Sequence, residues 1–158
     1  MKKALIITGV PGTGKTTIAK QLAQQLNAVY LDINQLIKPY QLAEGYDKKL
    51  KTYLINQEKL INLLINLITV SKKTLIIDSH LSHHLPKQYV KTCIITTCSI
   101  PTLKQRLQKR NYNKKKIAEN IEAELCNVCL GEALDQKHKL LIIDTTHPTK
   151  NINWKKAL

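Results

Sequence analysis

The chain has 158 residues, of which 43% are hydrophobic and 23% are charged, and this composition excludes a disordered chain and favours one ordinary globular domain. A domain of this length buries a core without disulfide staples. Its 25 lysines and arginines outnumber 11 acidic residues, and the net charge of +14 favours polyanionic partners such as nucleotides or RNA. Scattered solvated lysines are the simpler explanation of the same surplus.

Short β-branched runs alternate with segments of helical spacing along the whole chain. The runs predict strands at 4–8, 28–31, 74–78, 92–97 and 139–144. Helical spacing predicts helices at 15–26, 57–68, 101–109 and 114–130. Most of the runs are continuously apolar, which is typical of strands buried on both faces of a parallel sheet. The alternation therefore predicts right-handed βαβ units in a three-layer α/β/α domain.

The first loop, "GVPGTGKTT" (9–17), carries the strongest motif of the chain. It fits G-x-x-x-x-G-K-[ST], with Gly9, Gly14, Lys15 and Thr16 at the fixed positions. Glycines let successive backbone N–H groups turn toward phosphate oxygens, and the helix that follows points its positive end at the same anion. Lys15 can reach the β- and γ-phosphates, and the Thr16 hydroxyl can bind Mg²⁺. The loop predicts a nucleoside triphosphate site.

A second functional signal is the segment "TLIIDSH", in which Asp78 ends a buried strand. A carboxylate in this place has the form of a Walker B aspartate and would hold Mg²⁺ beside the loop. His80 follows two residues later and can orient a water or a substrate hydroxyl. His80, His83 and His84 together have a spacing that is compatible with a metal site, but a fourth ligand is lacking, and we expect His83 and His84 to be ordinary surface-loop residues.

The segment 102–125 is rich in basic residues. Arg106 and Arg110 lie four residues apart on one helical face, and Lys114 to Lys116 add positive charge. Guanidinium groups bind phosphoryl oxygens bidentately, so this pair fits the charge of a phosphate in transfer. Small kinases carry such arginines on a lid that closes and excludes water. A basic RNA-binding helix and simple solvated charge are the alternatives.

Cysteine usage and the length of the apolar runs predict a cytoplasmic protein with reduced thiols. Cys93, Cys98, Cys126 and Cys129 are too few for a disulfide scaffold, and we expect all of them to be buried structural thiols. The spacing of Cys126 and Cys129 also fits zinc. No secretory leader is evident, and the longest apolar run (60–70) is shorter than the ~20 residues of a membrane span.

Taken together, these motifs resemble the small adenylate kinase-like P-loop proteins of archaea and the nuclear adenylate kinase isoenzyme of eukaryotes, which also serves as a ribosome-assembly ATPase. The resemblance covers about 4–145. It rests on "GVPGTGKTT", "QLAEGYDKKLKTYLINQEKL" (41–60), "IDSHLSHHLP" (77–86) and "RLQKRNYNKKKIAENIEAEL" (106–125). The last of these is the most specific, because it matches the family lid in order, spacing and residue type.

The resemblance implies one P-loop kinase domain (1–158) with a five-stranded parallel sheet, a monophosphate-binding arm at about 32–55 and a lid at about 109–119. It implies Mg²⁺-dependent transfer of a phosphoryl group from ATP to AMP, with some ATP hydrolysis. The residues expected to bind ATP are Gly9, Gly12, Thr13, Gly14, Lys15, Thr16, Thr17 and Arg110. Those expected to act in catalysis are Lys15, Asp78, His80, Arg106 and Arg110, with Thr16 and Asp78 as Mg²⁺ ligands. Those expected to bind the monophosphate are Asp32, Lys38 and Tyr46.

The chain departs from the family pattern at three positions. Lys38 stands where the arm commonly has an arginine, so the charge is kept and the bidentate fork is lost. Asn111 replaces the lid glycine, and we expect it to adopt the positive φ that asparagine tolerates. Asn56 stands in place of an aspartate of the arm.

The sequence thus predicts a monomeric nucleoside monophosphate kinase that uses ATP and AMP and has no membrane partner. The alternative is an ATPase that acts in small-subunit ribosome assembly and contacts ribosomal RNA or a ribosomal protein. A kinase for another small metabolite is a further alternative, although nothing in 32–70 resembles a sugar pocket.

Overall fold

The structure, a computed structural model, describes residues 3–149 together with Ile152 and Trp154, so the predicted domain (1–158) extends beyond the described residues at its ends. Its strands are β1 (Ala4–Thr8), β2 (Val29–Asp32), β3 (Ala43–Asp47), β4 (Thr52–Ile55), β5 (Leu75–Asp78), β6 (Val90–Thr97) and β7 (Leu140–Asp144). Its helices are α1 (Lys15–Leu26), α2 (Gln57–Val70), α3 (Ile100–Lys109), α4 (Lys114–Leu125) and α5 (Val128–Asp135). All five predicted strands are present with small shifts at their ends.

Five strands form one parallel sheet in the order β2-β5-β1-β6-β7, as predicted. The two central strands β1 and β5 are fully buried, whereas the edge strands β2 and β7 are partly exposed. The prediction that strands are buried on both faces is therefore correct for these inner strands and not for the two edge strands. In register, Asp78 pairs with Ile7 on β1 and with Asp32 on β2. The carboxyl ends of three strands thus meet at one edge.

Helices cover both faces of the sheet and complete the predicted three layers. Ile18 and Leu22 of α1 are fully buried against one face. Leu60 and Leu64 of α2 pack on the other face, each contributing about 1.5–3 kcal/mol by burial. Ile68 completes that apolar stripe, and Leu67 is only half-buried. Within the described part of the chain, no helix has the length and apolar character needed to cross a membrane.

The predicted arm contains an antiparallel hairpin, β3–β4, that the periodicity did not reveal. Its two strands are short and largely exposed, so they lack the apolar alternation that marks a strand on a core. Tyr46 and Tyr53 face each other across the strands with ring centroids 5.1 Å apart, edge to face. Asn56 then accepts a hydrogen bond from the backbone N–H of Lys59 and caps α2.

The predicted single helix at 114–130 is wrong, because the chain breaks it into α4 and α5. Asn127 takes φ 50° between them, a left-handed conformation that ends one helix and begins the next. The break leaves Cys126 exposed and Cys129 half-buried, which corrects the expectation of two buried thiols. The other two cysteines, Cys93 and Cys98, are buried as predicted.

Candidate active site

The glycine loop joins β1 to α1 at the carboxyl edge of the sheet, and two of its glycines adopt conformations that exclude other residues. Gly9 has φ 143°, and a Cβ there would lie 2.4 Å from the Thr96 carbonyl oxygen. Gly14 has φ 86° as the N-cap of α1. The loop is fixed beneath by Thr13, whose buried hydroxyl lies 2.7 Å from that of Thr96. Thr13 therefore supports the loop with its side chain rather than facing the cleft.

Lys15, the first residue of α1, lies folded over this loop. Its Nζ donates to the carbonyl oxygens of Gly9 (2.8 Å) and Val10 (3.0 Å). Burial lowers the pKa of Lys15 to about 8, although the carboxylate of Asp78 acts in the opposite direction. An ammonium group that donates to backbone carbonyl oxygens in a buried setting is well suited to receive an anion.

Asp78, at the end of β5, accepts hydrogen bonds from two hydroxyl groups. The Thr16 hydroxyl donates to Asp78 Oδ2 at 2.7 Å, and the Tyr30 phenol donates to the same oxygen at 3.0 Å. Burial first, and then Asp78, raises the pKa of the Tyr30 phenol, so it remains a donor. A carboxylate and a hydroxyl in contact form an oxygen-only donor set that fits Mg²⁺. The structure thus brings the two predicted metal ligands together.

His80 lies in the same cleft, with its side chain still open to solvent. The surrounding protein atoms first, and the charge of Lys15 second, lower the pKa of His80 to about 4. The imidazole is therefore neutral at neutral pH. A neutral imidazole can orient a hydroxyl or phosphate group without adding charge.

The expectation that His83 and His84 are surface-loop residues is wrong. His83 is only 1% exposed, and its ring bridges Thr8 Oγ1 (2.8 Å) and Glu132 Oε2 (2.7 Å). His84 is half-buried, with its ring centroid 4.2 Å from that of His83. The loop after β5 turns back beneath β1 and against α5, a tertiary contact that the local sequence does not show. Glu132 is the remote partner that sequence reasoning missed.

The two lid arginines have different surroundings. Arg106 on α3 donates to the Thr145 carbonyl oxygen (2.6 Å), the Thr145 hydroxyl (3.0 Å) and the Gly12 carbonyl oxygen (3.3 Å). It ties the glycine loop to the segment after β7. Arg110 ends α3, is exposed, and lines the cleft near Lys15. Asn111 beside it has φ 56°, as predicted for the residue that replaces the lid glycine.

Two cavities meet at the glycine loop. The larger measures about 530 Å³, and the loop, the end of β5, the arm, the lid and α5 line it. The smaller, about 380 Å³, lies between the loop, α3 and the segment at 145–149. Both share Gly12, Gly14, Thr17 and Arg110. One ligand with a flat ring and a phosphate tail can therefore occupy both cavities at once.

The predicted monophosphate-binding residues do not line the larger cavity among the described residues. Asp32 accepts hydrogen bonds from the backbone and side chain of Asn34 and caps a short 3-10 turn. Lys38 is exposed, and Tyr46 is 50% exposed in its pair with Tyr53. On the arm side the wall is instead formed by Asn34, Leu50 and Thr52.

The arm and the lid touch directly across the cleft. Asn113 Nδ2 donates to the Lys49 carbonyl oxygen at 2.8 Å, and Lys116 Nζ donates to the Leu50 carbonyl oxygen at 2.7 Å. Asn113 also caps α4 by accepting from the backbone N–H of Lys116. The start of α4 is therefore bonded to the turn of the hairpin, which closes the cleft on that side.

A glycine loop whose threonine bonds a strand-end aspartate, on a parallel sheet covered by helices on both faces, defines the P-loop α/β class of proteins. The family model described as "AAA domain" matches residues 5–127. Two solved kinases share the fold. A shikimate kinase from Bacteroides thetaiotaomicron has a TM-score of 0.58 and 15% identity, and the match covers 98% of this chain and 92% of that one. A gluconokinase from Sinorhizobium meliloti 1021 has a TM-score of 0.58 and 11% identity, and the match covers 93% of this chain and 85% of that one.

Relatives with higher sequence identity show which P-loop family the chain belongs to. A Methanocaldococcus jannaschii protein named "Putative adenylate kinase" is 42% identical over 143 residues, which are 90% of this chain and 77% of the relative. A Drosophila melanogaster protein named "Adenylate kinase isoenzyme 6 homolog" is 31% identical over 150 residues, 95% and 85% of the two chains. The chain belongs to the P-loop family that contains these archaeal and eukaryotic proteins, as the resemblance predicted.

Proposed function

We propose that the protein is a nucleoside monophosphate kinase that transfers the γ-phosphate of ATP to AMP. The observation that carries this proposal is the single cleft in which the P-loop and the arm form facing walls, with cations from the lid between them. An ATPase needs room for one nucleotide and a water. A cleft of about 530 Å³ that joins a further cavity of about 380 Å³ offers room for a donor and an acceptor.

ATP would lie across both cavities. Its triphosphate would rest on the backbone N–H groups between Gly12 and Thr17, where the N-terminus of α1 also favours an anion. Lys15 would exchange its bonds to loop carbonyls for bonds to phosphate. The base would enter the smaller cavity, whose walls include Arg106 and Pro148. Arg106 is held there by Thr145 and can offer a planar face to a purine.

Thr16 and Asp78 would hold Mg²⁺, which would neutralise phosphate charge during the transfer. Their present hydrogen bond of 2.7 Å shows that both oxygens can reach one point. Tyr30, which donates to the same carboxylate oxygen at 3.0 Å, keeps the Asp78 side chain turned toward Thr16. It acts as a positioning residue.

AMP would lie on the arm side, against Asn34, Leu50 and Thr52, with its phosphate toward Lys15. Its phosphate is an anion at neutral pH, so the attack on the γ-phosphorus requires no general base. The protein supplies alignment and positive charge, the latter from Lys15, Arg110 and Lys116. Neutral His80 would orient an acceptor oxygen without repelling the nearby cations.

Phosphorus NMR separates transfer from hydrolysis. With ATP, Mg²⁺ and AMP, the proposal predicts conversion of one ATP and one AMP into ADP, with little inorganic phosphate. The same assay with CMP, UMP and GMP ranks the acceptor bases. Release of inorganic phosphate at a rate that AMP does not change would contradict the kinase assignment.

The second candidate is an ATPase that acts in ribosome assembly, and one observation favours it. Lys38, the expected anchor of the acceptor phosphate, is exposed and lies outside the described lining of the cleft. The net charge of +14 fits contact with RNA. RNA binding whose affinity falls steeply with salt, together with AMP-independent hydrolysis, would support this candidate. A monomeric state and a cytoplasmic location stay predictions under both proposals.

A further inference from the structure

A cluster of two histidines and a glutamate lies beside the larger cavity, and none of the three residues lines the smaller one. His83 and His84 come from the 3-10 turn after β5, and Glu132 comes from α5. Each residue offers one donor atom, and these donors all lie within 4.8 Å of one another. His84 and Glu132 line the cleft, so the cluster is open to solvent on that side.

His83 is held on three sides, which makes it a preorganised donor. Its Nδ1 lies 2.8 Å from Thr8 Oγ1, and its Nε2 lies 2.7 Å from Glu132 Oε2. The backbone is fixed as well, because His138 Nε2 lies 2.8 Å from the His83 carbonyl oxygen. Metal-binding histidines characteristically engage their second ring nitrogen in such a hydrogen bond, which fixes the tautomer and the ring orientation.

We propose that His83, His84 and Glu132 bind a first-row transition-metal ion, with Zn²⁺ as the ion of choice. Imidazole nitrogens with one carboxylate select such ions, whereas Mg²⁺ prefers the oxygen-only pair of Asp78 and Thr16. Cys129, three residues before Glu132 on the same helix, also lines the cleft, but it is not among the described residues whose donor atoms lie within 4.8 Å of one another.

The hydrogen bond between His83 and Glu132 is consistent with this assignment, because a shared proton occupies the place where the cation would bind. On binding, His83 Nε2 gives its lone pair to the metal, and the proton that it shared with Glu132 is transferred to Nδ1 of the same ring. His83 Nδ1 then donates a hydrogen bond to Thr8 Oγ1, so the ring stays neutral and keeps its single proton.

A purely structural role is the competing explanation of the same contacts. His83 then only ties β1 to α5 through Thr8 and Glu132. That role requires neither His84, which stacks beside His83 with a centroid distance of 4.2 Å and a tilt of 50°, nor an opening to the cleft. His84 is therefore the residue that separates the two explanations, because its removal leaves the Thr8–His83–Glu132 hydrogen bonds in place.

The test is calorimetric titration of untagged, chelator-treated protein with Zn²⁺, without nucleotide and with excess Mg²⁺ to fill the oxygen sites. A Cys126→Ser background removes the exposed thiol. We expect saturable binding of one ion and a raised melting temperature. His84→Ala and Glu132→Gln should each weaken binding at least about tenfold, as loss of even an outer partner does. The matched controls His147→Ala and Asp135→Asn should leave it unchanged.

Co²⁺ supplies a second readout that does not depend on folding stability. A bound Co²⁺ in a nitrogen-rich four-coordinate site gives intense visible absorption, which the His84→Ala variant should lose. The proposal is overturned if the parent protein shows no saturable Zn²⁺ binding. It is equally overturned if His84→Ala, folded by circular dichroism, binds Zn²⁺ and Co²⁺ like the parent protein.

Discussion

The two walls of the cleft are stabilised in different ways. Under the glycine loop, fully buried threonines bond to one another, with Thr13 Oγ1 2.7 Å from Thr96 Oγ1 and Thr145 Oγ1 2.7 Å from the Thr13 carbonyl oxygen. Across the cleft, the exposed side chain of Asn113 bonds to a backbone carbonyl of the hairpin turn. Water competes for the second kind of bond and not for the first.

This difference separates a rigid donor site from a movable acceptor site. A buried, fully bonded loop holds the triphosphate in one geometry, as electrostatic stabilisation of a transferring phosphate requires. An exposed bond contributes only about 0.5–1.5 kcal/mol, so it can break and re-form during each catalytic cycle.

Loss of the Lys15 ammonium should have the largest effect. Lys15→Met removes an ammonium group whose bonds to the Gly9 and Val10 carbonyl oxygens would pass to phosphate. We expect kcat/KM to fall by at least about 10³-fold, as for other groups that meet charge in the transition state. Steady-state assays measure this, with Lys115→Met on the exposed face of α4 as the control. A folded Lys15→Met protein with wild-type turnover would contradict the role.

A methyl group at Gly9 should cost stability rather than only activity. A Cβ there meets the Thr96 carbonyl oxygen at 2.4 Å, in a backbone conformation that alanine avoids. We expect Gly9→Ala to lower the free energy of unfolding by about 2–4 kcal/mol. The control is Gly131→Ala in α5, where nothing lies within 4 Å of the new Cβ. Helix propensity should make that variant more stable by up to about 1 kcal/mol. Urea denaturation compares the two, and equal midpoints would argue against a packed loop.

ATP affinity should depend on pH through Lys15. Burial lowers the pKa of Lys15 to about 8 in the nucleotide-free protein, and bound phosphate would raise it. Below this pH the ammonium is already formed. Above it, binding must take up a proton, so affinity should fall by up to about tenfold per pH unit. Calorimetry at about pH 7.5 and about pH 9.5, with a non-hydrolysable ATP analogue and Mg²⁺, gives the ratio. A flat profile would show that Lys15 is not in contact with phosphate.

Breaking the bond between lid and arm should have the smallest effect. Asn113→Asp keeps the cap of α4 but removes the amide donor to the Lys49 carbonyl oxygen. When an ATP analogue is bound, the protein should bind AMP more tightly than it does without the analogue. We expect Asn113→Asp to reduce this increase in AMP affinity by about threefold, which corresponds to the loss of one exposed hydrogen bond. Lys114→Ala, one residue further on, is the control. An unchanged gain would show that arm and lid close independently.

The sequence was informative where chemistry is local and uninformative where it depends on distant contacts. The P-loop, Asp78 and the five sheet strands follow from short motifs and apolar runs that keep their meaning in isolation. In the sequence, Tyr30 was simply part of a predicted strand. The pairing of β2 with β5 brings its phenol to Asp78, and the sequence around Tyr30 does not reveal that pairing. His83 was misplaced for the same reason, since Glu132 lies 49 residues away in the chain.

The arm is a second region in which the sequence predicted the structure incompletely. Its boundaries were predicted from the family pattern, but its hairpin is exposed and has no core face that periodicity could detect. In the structure Lys38 is exposed, and Asn34, Leu50 and Thr52 form the wall of the cleft on the arm side.

The most direct test of the account is the affinity of a bisubstrate compound in which two adenosines are joined through a chain of phosphates. If one cleft holds both nucleotides, this compound should bind with Mg²⁺ at a ratio of one per chain and at least about 10²-fold more tightly than ATP. The Lys15→Met variant should lose most of that affinity. Binding no tighter than that of ATP would contradict the claim that the P-loop and the arm form one two-nucleotide site.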